Sequence, residues 1–307
     1  MSIEHDNCDL LTFGNDSYKI LENSDKSLKL LDRGNRDCIE IKGHSFLKFW
    51  IFSKSSCYIV YNLNTLKYYI LKEVSKDIGK VITQFYILLN ENGDNDFVSI
   101  PQFVREYNNK YIFIYQYNGN SLENYINNFK SMGKTIEFIN CLQIFNNILK
   151  GVKCFHDNRI AHCDLKTANI TYDHKNDLVQ IIDHDTINKE GINKTSLVYS
   201  KNFESPEIVQ IINSNLEKGA KLFIEMDLYK NDIWALGIIW YNLVTCRFPY
   251  KNQFYKFNGR TFIILNKKFV DLVNNHDIDM NDLIHLTEDE RCLFLQLFLG
   301  LCNRNPI

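Results

Sequence analysis

The chain has 307 residues, a hydrophobic content of 45% and a formal net charge of −2, from 35 basic and 37 acidic residues. This length is enough for one large domain, or for two small lobes that share a cleft. The near balance of charge excludes a strong uniform positive field, so we expect no nucleic-acid partner and no polybasic membrane anchor.

Cysteine usage and the N-terminal segment indicate the cellular compartment. The nine cysteines are scattered and form no CxxC pair, which favours reduced thiols over a disulfide framework or a zinc site. The N-terminus is polar and acidic and lacks the pattern of a signal peptide. The longest apolar stretch, 233–244, contains Asn242 and is too short to span a bilayer. We therefore expect a cytoplasmic protein, with the nucleus as the alternative.

The first part of the chain predicts a small sheet with one helix. Residues 1–40 show no strong periodicity and are expected to form an N-terminal extension. A strand-like pattern follows from 38 to 74, in which segments 57–61 and 67–72 flank a polar turn and predict an antiparallel hairpin. Residues 78–90 predict a helix, and segments 102–107 and 111–117 predict two more strands. One face of that helix is predicted to carry Ile78, Ile82, Phe85 and Leu88 or Leu89.

The second part of the chain is predicted to be mostly helical. A 4-3-4-3 spacing of apolar residues indicates an amphipathic helix, on Phe138, Leu142, Phe145, Leu149 and Val152. A β-rich segment at 178–182 interrupts this pattern, and helical patterns return at 232–245 and 288–301. A sheet-rich part followed by a helix-rich part predicts the α+β class with two lobes.

Residues 162–169 read His-Cys-Asp-Leu-Lys-Thr-Ala-Asn. This segment resembles the catalytic loop H-R-D-L-x-x-x-N of the eukaryotic protein kinases. The resemblance implies that Asp164 is the catalytic base, which accepts or orients the substrate hydroxyl. It also implies that Lys166 neutralises charge on the transferred phosphate and that Asn169 holds a metal ion. A lysine two residues after the aspartate is similar to the serine/threonine-specific subgroup.

Further motifs follow in the order that this family has. Residues 181–185 resemble the strand and D-F-G element, which implies that Asp183 is the main Mg²⁺ ligand. Residues 205–207 resemble A-P-E, and Ser200 stands where the family usually has a threonine near the peptide-binding site. Residues 229–237 resemble the buried helix whose aspartate, here Asp232, holds the backbone of the catalytic loop.

The resemblance also assigns a nucleotide site. Lys72 occupies the lysine slot of V-A-I-K and would hold the α- and β-phosphates of ATP. Ile70 stands in place of the alanine above the adenine, and Thr171 in place of the leucine below it. The backbone from Gln116 to Asn118 would face the adenine, and Ile182 belongs to the same site.

This resemblance covers roughly residues 45–307. It implies the two-lobed protein-kinase fold over 41–307, with a small β-rich lobe at about 41–117 and a larger helical lobe at about 118–307. It implies ATP and Mg²⁺ as cofactors and a protein as the substrate or regulated partner. The family places an arginine beyond the last helix to pair with the A-P-E glutamate, so we expect a domain that is C-terminally cropped. The oligomeric state is left open.

Several positions depart from the family pattern. Residues 50–57, where the glycine-rich loop is expected, contain no glycine. Gln84 stands where the helix glutamate that pairs with Lys72 is expected, and an amide brings no charge to that pair. His184-Asp185 replaces Phe-Gly, and Cys163 replaces the arginine that usually binds an activation-loop phosphate. Activity should therefore not need activation-loop phosphorylation in the usual way.

Two functions are consistent with these features. The first is an active serine/threonine protein kinase, because every residue that carries the chemistry is present. The second is a pseudokinase, an interaction or regulatory module with weak or no nucleotide binding, because the nucleotide-binding segments are eroded. A phosphotransferase of kinase-like fold that acts on small molecules is disfavoured by residues 205–207 and by the Asp232 helix, which belong to the peptide-binding lobe of protein kinases.

Overall fold

The structure is a computed structural model that describes residues 28–30, 38–41, 44–52, 57–62, 66–93, 96–107, 109–189, 200–214, 227–257 and 260–302. The chain divides into two compact units. The first comprises Met1–Thr83 and Ile100–Tyr117, and the second comprises Gln84–Ser99 and Asn118–Ile307. The first unit is rich in strands and the second is mostly helical, so the predicted α+β class is confirmed. The proposed boundary between an extension and a domain near residue 40 stays a prediction.

The first unit is built on one antiparallel sheet, which has seven strands in the described residues. The strand order is β1-β3-β4-β5-β7-β6, and β2 pairs with β3. The strands are β1 (Leu28–Leu30), β2 (Cys38–Ile41), β3 (His44–Phe52), β4 (Cys57–Asn62), β5 (Lys67–Ser75), β6 (Phe103–Tyr107) and β7 (Lys110–Gln116). Alternate residues of the central strands form its hydrophobic core, namely Val60, Tyr69, Leu71, Ile112 and Ile114.

The predicted hairpin is confirmed as β4 and β5. These strands pair antiparallel in a register that runs from Cys57 opposite Lys72 to Asn62 opposite Lys67. The β-branched and aromatic residues that indicated strands pack well on a pleated, half-buried surface. β1 was not predicted, since its three residues lie in the proposed extension.

Helix α1 (Lys76–Asn92) contains the predicted helix 78–90 and starts directly after β5. Its residues Ile82, Phe85 and Leu89 are buried, whereas Ile78, which shares their face by helical spacing, is 38% exposed. The reason is the neighbouring Gly79, whose missing side chain lets the ring of Tyr111 approach the helix backbone. The first turn therefore packs through its glycine and leaves Ile78 in solvent.

The second unit continues with helices α2 (Leu122–Ser131), α3 (Phe138–Asp157), α4 (Pro206–Ser214), α5 (Leu228–Thr245), α6 (Lys267–Asn275) and α7 (Glu288–Cys302). Its strands form the pairs β8 (Ile160–Ala161) with β11 (Asn188–Lys189), β9 (Ile170–Asp173) with β10 (Leu178–Ile181), and β12 (Gln253–Phe257) with β13 (Arg260–Ile264). None of the described helices is long and apolar enough to cross a membrane.

The core of the second unit surrounds α5, which is buried along most of its length. Trp240 contacts Phe145 of α3 and Phe294 of α7 with ring centroids 4.9 and 5.8 Å apart. The predicted helix α3 is confirmed, but Leu142 and Leu149 are only partly buried, whereas Ile144 and Ile148 are fully buried. α3 packs against both α5 and β10, so its buried face is wider than the stripe that the 4-3-4-3 spacing marks.

Side-chain caps fix where several of these helices begin. Asp227 accepts hydrogen bonds from the backbone N–H groups of the first turn of α5. At α7, Thr287 and Glu290 form a capping box, in which the Glu290 carboxylate accepts the Thr287 N–H at 2.8 Å and the Thr287 hydroxyl accepts the Glu290 N–H at 3.3 Å. Both α5 and α7 therefore start at a residue that satisfies otherwise unpaired N–H groups.

We predict that Gly151→Ala destabilises the protein, although alanine is the better helix former. A Cβ at this position of α3 would lie 2.8 Å from the Ile181 side chain and 2.9 Å from the Phe97 carbonyl oxygen, so β10 has to shift. The cost should be about 1–3 kcal/mol in urea unfolding. Gly300→Ala in α7 is the matched control, because an added Cβ there meets no atom within 4 Å and should stabilise the helix by up to about 1 kcal/mol. Equal effects of the two changes would contradict this account.

Candidate active site

The predicted catalytic loop is fixed by a buried carboxylate on α5. Asp232 is 0% exposed, and its two oxygens accept the backbone N–H groups of His162 at 2.8 Å and Cys163 at 2.9 Å. The imidazole of His156 lies 3.0 Å from the same carboxylate. A buried charge is tolerated when hydrogen bonds satisfy it, and Asp232 has three such partners. The prediction that Asp232 holds the loop backbone is confirmed.

Cys163 occupies a strained position in this loop. Its φ of 68° lies in the left-handed region, which residues other than glycine rarely adopt. The bond from its N–H to Asp232 holds the residue there. Burial, reinforced by the carboxylates of Asp232 and Asp164, raises the pKa of the Cys163 thiol. The thiol therefore stays protonated, and Cys163 is unsuited to act as a nucleophile.

Asp164 follows directly and is 8% exposed. Its Oδ2 accepts a hydrogen bond from Lys166 Nζ at 2.6 Å, and its Oδ1 accepts one from the Ser200 hydroxyl at 2.5 Å. Lys166 Nζ also donates to Ser200 Oγ at 2.9 Å. Lys166 of the loop and Ser200 therefore both bind the Asp164 carboxylate, one as a cation and the other as a hydroxyl.

Asn169 ends a short 3₁₀ helix, Thr167–Asn169, and turns back onto Asp164. Its Nδ2 donates to the Asp164 backbone oxygen at 2.9 Å and to Asp164 Oδ2 at 3.1 Å. Because the amide nitrogen is committed to Asp164, the amide oxygen is the atom that a cation would bind. The structure therefore brings Asp164, Lys166 and Asn169 together, as the sequence predicted.

A histidine joins this loop to the segment that carries Asp183. His162 Nδ1 accepts the Asp164 N–H at 3.3 Å, and His162 Nε2 lies 3.2 Å from the carbonyl oxygen of Ile182. A carbonyl only accepts, so the proton of this neutral imidazole is on Nε2. The ring thus bridges the backbone at both predicted site aspartates.

Asp183 itself lies just after β10, in a left-handed conformation with φ 66° and ψ 63°. Strain of this kind persists only where the surroundings determine the backbone, and it is concentrated at functional sites. The surroundings here include two bonds to the preceding residue, from the Ile182 N–H to the Asn169 carbonyl at 2.9 Å and from His162 to the Ile182 carbonyl.

The donor atoms at Asp183 and Asn169 fit a magnesium ion. A carboxylate and an amide oxygen are hard donors, and Mg²⁺ commonly takes one or two protein ligands and keeps water and substrate phosphates for the rest. Among the described residues there is no group of three or more His, Cys, Asp or Glu side chains that could hold a metal by themselves.

The residues predicted to bind nucleotide lie in both units. In the first unit, Lys72 and Ile70 lie on β5, each partly buried, and Gln116 ends β7 with an exposed side chain. In the second, Asn118 Nδ2 donates to the Gln180 side chain and Thr171 Oγ1 donates to the Gln180 carbonyl oxygen at 3.3 Å, so those two share a partner. Ile182 is also in the second unit and is partly buried.

Two departures from the family pattern concern the first strands and α1. Residues 50–52 end β3 and Cys57 begins β4, and 53–56, within the segment where the glycine-rich loop is expected, lie outside the described residues. Gln84 is exposed, whereas Phe85 and Tyr86 beside it are buried. The pairing of Gln84 with Lys72 stays a prediction.

Comparison with known sequences gives one matching family and several similar proteins. The family described as Protein kinase domain matches residues 53–301. The chain is 25% identical over 237 residues to the serine/threonine-protein kinase mph1 of Schizosaccharomyces pombe, which covers 72% of this chain and 34% of that protein. It is 31% identical over 125 residues to the serine/threonine-protein kinase polo of Drosophila melanogaster, covering 39% and 19%. It is 25% identical over 231 residues to the dual specificity protein kinase Ttk of Danio rerio, covering 71% and 22%.

The chain thus spans about a third or less of the length of these curated relatives. A match over most of the chain to the family, together with a sheet-rich and a helix-rich unit, agrees with the resemblance that the motifs carry.

Sequence reasoning missed a buried carboxylate near Ser200. Glu204 is 1% exposed, and neither of its carboxylate oxygens has a hydrogen-bond partner in the described part of the chain. Burial raises its pKa to about 7, against the smaller opposing effects of its own N–H, the Asn202 N–H and Lys201. Its backbone oxygen accepts the Tyr250 hydroxyl at 3.4 Å. A glutamate between Phe203 and Ser205 gives no sequence signal of burial.

We predict that Glu204→Gln stabilises the protein above neutral pH. The carboxyl titrates near 4.5 when unfolded and about 7 when folded, so its contribution to stability is complete below pH 4.5 and is lost as the pH rises through 7. At pH 8 the variant should be more stable by an amount on the order of 3 kcal/mol at most, and the difference should vanish near pH 4. Thermal unfolding across this range measures it.

Glu290→Gln is the control, because the hydrogen bonds from Thr287 lower the pKa of Glu290 and give it the opposite pH dependence. A constant difference between Glu204→Gln and the parent chain from pH 4 to 8 would contradict the prediction.

Proposed function

The chain belongs to the protein kinase family, and we propose that it is an active serine/threonine protein kinase. In this proposal it transfers the γ-phosphate of ATP to a hydroxyl of a protein substrate. The observation that carries the proposal is the Asp164 carboxylate, which is held by Lys166, Asn169 and Ser200 at 2.5–3.1 Å.

Asp164 is the proposed base. Phosphoryl transfer needs a carboxylate that accepts or orients the attacking hydroxyl, and little other covalent chemistry from the protein. The Ser200 hydroxyl donates to Asp164 Oδ1, which supports the view that this oxygen accepts hydroxyl groups. A substrate serine or threonine at that oxygen would be oriented in the same manner.

Lys166 is proposed to balance charge at the same point. Its ammonium group lies between Asp164 Oδ2 and Ser200 Oγ, where a phosphate in transfer to a hydroxyl would pass. Preorganised cations stabilise the charge that develops in such a transition state. The serine/threonine class is based on the lysine at this position and on the similarity to the serine/threonine-protein kinases mph1 and polo.

Asp183 and Asn169 are proposed to hold Mg²⁺ through a carboxylate and an amide oxygen. When bound, the ion supplies neutralisation of phosphate charge. Lys72, Ile70, Gln116, Asn118, Thr171 and Ile182 are proposed to bind ATP. The fixed backbone around Asp183 supports this role, because a metal ligand that is already held in place needs no reorganisation on binding.

We predict that Asp164→Asn lowers kcat about 10²- to 10⁴-fold, because an amide does not take a proton from the substrate hydroxyl. The measurement is phosphate incorporation from Mg·ATP into a generic protein substrate and into the chain itself. Asp157→Asn is the control, since this exposed aspartate pairs only with a lysine one helical turn away in α3. Incorporation by Asp164→Asn at the parental rate would refute the mechanism.

A pseudokinase is the second candidate function. The absence of glycine from residues 50–57 and the exposure of Gln84 favour it, because both weaken the expected nucleotide cradle. In this case the domain would bind a partner or regulate another kinase, with weak or no nucleotide binding.

We predict that Mg·ATP raises the melting temperature and that Asp183→Ala removes the Mg²⁺-dependent part of the rise. A ligand at about 100 times its Kd adds about 2.7 kcal/mol of stability. The measurement is thermal unfolding with ATP, with and without Mg²⁺, and Asp157→Ala is the control. No shift at millimolar ATP in the parent chain would overturn the enzymatic proposal and leave the pseudokinase.

A further inference from the structure

The residue after Asp183 is a histidine whose two ring nitrogens are both engaged. His184 is 2% exposed. Its Nδ1 lies 2.6 Å from the hydroxyl of Tyr86, and its Nε2 lies 3.1 Å from the carbonyl oxygen of Ile181. Tyr86 is on α1, within the part of that helix that belongs to the second unit, and is 5% exposed. A buried helix side chain is thus bonded to the residue beside the proposed metal ligand.

The partners fix the position of the imidazole proton. A carbonyl oxygen only accepts, so Nε2 carries the proton that points at Ile181. In the neutral ring Nδ1 is then an acceptor, and the Tyr86 hydroxyl donates to it. The carbonyl therefore selects this tautomer, and the Tyr86 hydroxyl completes it by donating to Nδ1.

Two imidazoles take the two carbonyl groups that precede Asp183. His184 binds the Ile181 oxygen and His162 binds the Ile182 oxygen. The Ile181 oxygen also accepts the Ser99 N–H at 2.9 Å. These bonds fix the peptide groups that lead into the left-handed residue Asp183, whose conformation needs such support.

Packing holds the His184 ring in place as well. Edge-to-face contacts surround it, with centroid distances of 5.4 Å to Phe155, 5.9 Å to Phe85 and 6.0 Å to His162. These contacts hold the His184 ring in one orientation. Loss of the Tyr86 hydroxyl would leave Nδ1 buried without that bond, which is unfavourable.

We propose that Tyr86 is a positioning residue of the phosphotransfer site, which acts through His184 to set the backbone at Asp183. This inference rests on the proposed function. It predicts that the polar pair is a unit, since the Tyr86 hydroxyl has no ring nitrogen to bind once His184 is a phenylalanine, and its removal should then cost nothing more.

The first test is a double-mutant cycle of Tyr86→Phe, His184→Phe and the double variant. The Mg²⁺ concentration for half-maximal activity should rise about 10- to 100-fold in each single variant, as for other residues that orient metal ligands. The double variant should lose no more than His184→Phe alone, because the Tyr86 hydroxyl acts through the His184 ring. Tyr241→Phe is the matched control, because it also deletes a hydroxyl in a 2.6 Å hydrogen bond, to Asp282, outside this site. It should lower the melting temperature without moving the Mg²⁺ dependence.

Additive losses in the double variant, or a Mg²⁺ dependence in Tyr86→Phe that equals that of the parent chain, would overturn the proposal. So would an equal shift in Tyr241→Phe, since this would mean that any lost buried hydroxyl has the same effect.

The second test needs neither nucleotide nor activity. Imidazole ¹⁵N signals of the parent chain, assigned by their loss in His184→Phe, should show a neutral ring with the proton on Nε2. In Tyr86→Phe the Nδ1 signal should shift, because Nδ1 loses the Tyr86 hydroxyl as its donor. A proton on Nδ1 in the parent chain would overturn the proposal. A further outcome is the expected tautomer with no phosphotransfer in the parent chain or in any variant. That result would refute the proposed function, but it would still establish the hydrogen bond between Tyr86 and His184.

Discussion

The site depends on one buried carboxylate. Asp232, fully enclosed at the start of α5, accepts N–H groups from two successive residues of the catalytic loop and faces His156. A charge in this environment is stable only while its partners stay in place, so the loop and the helix core constrain each other. That constraint maintains Cys163 in its left-handed conformation and places Asp164 directly after it. The apolar packing of α5 thus supports the polar contacts that Asp232 makes with the catalytic loop.

Starting from Asp232, hydrogen bonds to backbone groups fix the positions of the neighbouring segments. His162, whose N–H is bound by Asp232, uses its ring to join the Asp164 N–H to the Ile182 carbonyl. Thr186 returns a bond from its hydroxyl to the His162 carbonyl at 2.8 Å. The backbone at two carboxylates that are separate in sequence, Asp164 and Asp183, is therefore held by hydrogen bonds to the same ring. Hydrogen bonds of this kind specify position without neutralising the groups they position.

Sequence alone predicted what is local. The loop 162–169 is contiguous, so Asp164, Lys166 and Asn169 were identifiable from residue type and spacing, and so was Asp232 from its own motif. Contacts between distant residues gave no such signal. Nothing in the sequence singled out Tyr86, and the burial of Glu204 depends on Tyr250 and the rest of the fold. The exposure of Ile78 was not predicted, because periodicity does not show that the Tyr111 ring packs against Gly79. The hairpin of β12 and β13 was overlooked, although Asn258-Gly259 between two β-rich segments is a strong hairpin signal.

Asn169 illustrates how such an arrangement restricts which sequences can occupy the site. Its amide nitrogen donates to Asp164 Oδ2 at 3.1 Å, and its backbone oxygen accepts the Ile182 N–H. An aspartate of the same shape would be the stronger ligand for a divalent cation taken by itself. Here it would set a second carboxylate against Asp164, with repulsion in place of a hydrogen bond. Under the proposed function the site therefore uses an amide as the metal ligand, because a second carboxylate at this position would repel the proposed base.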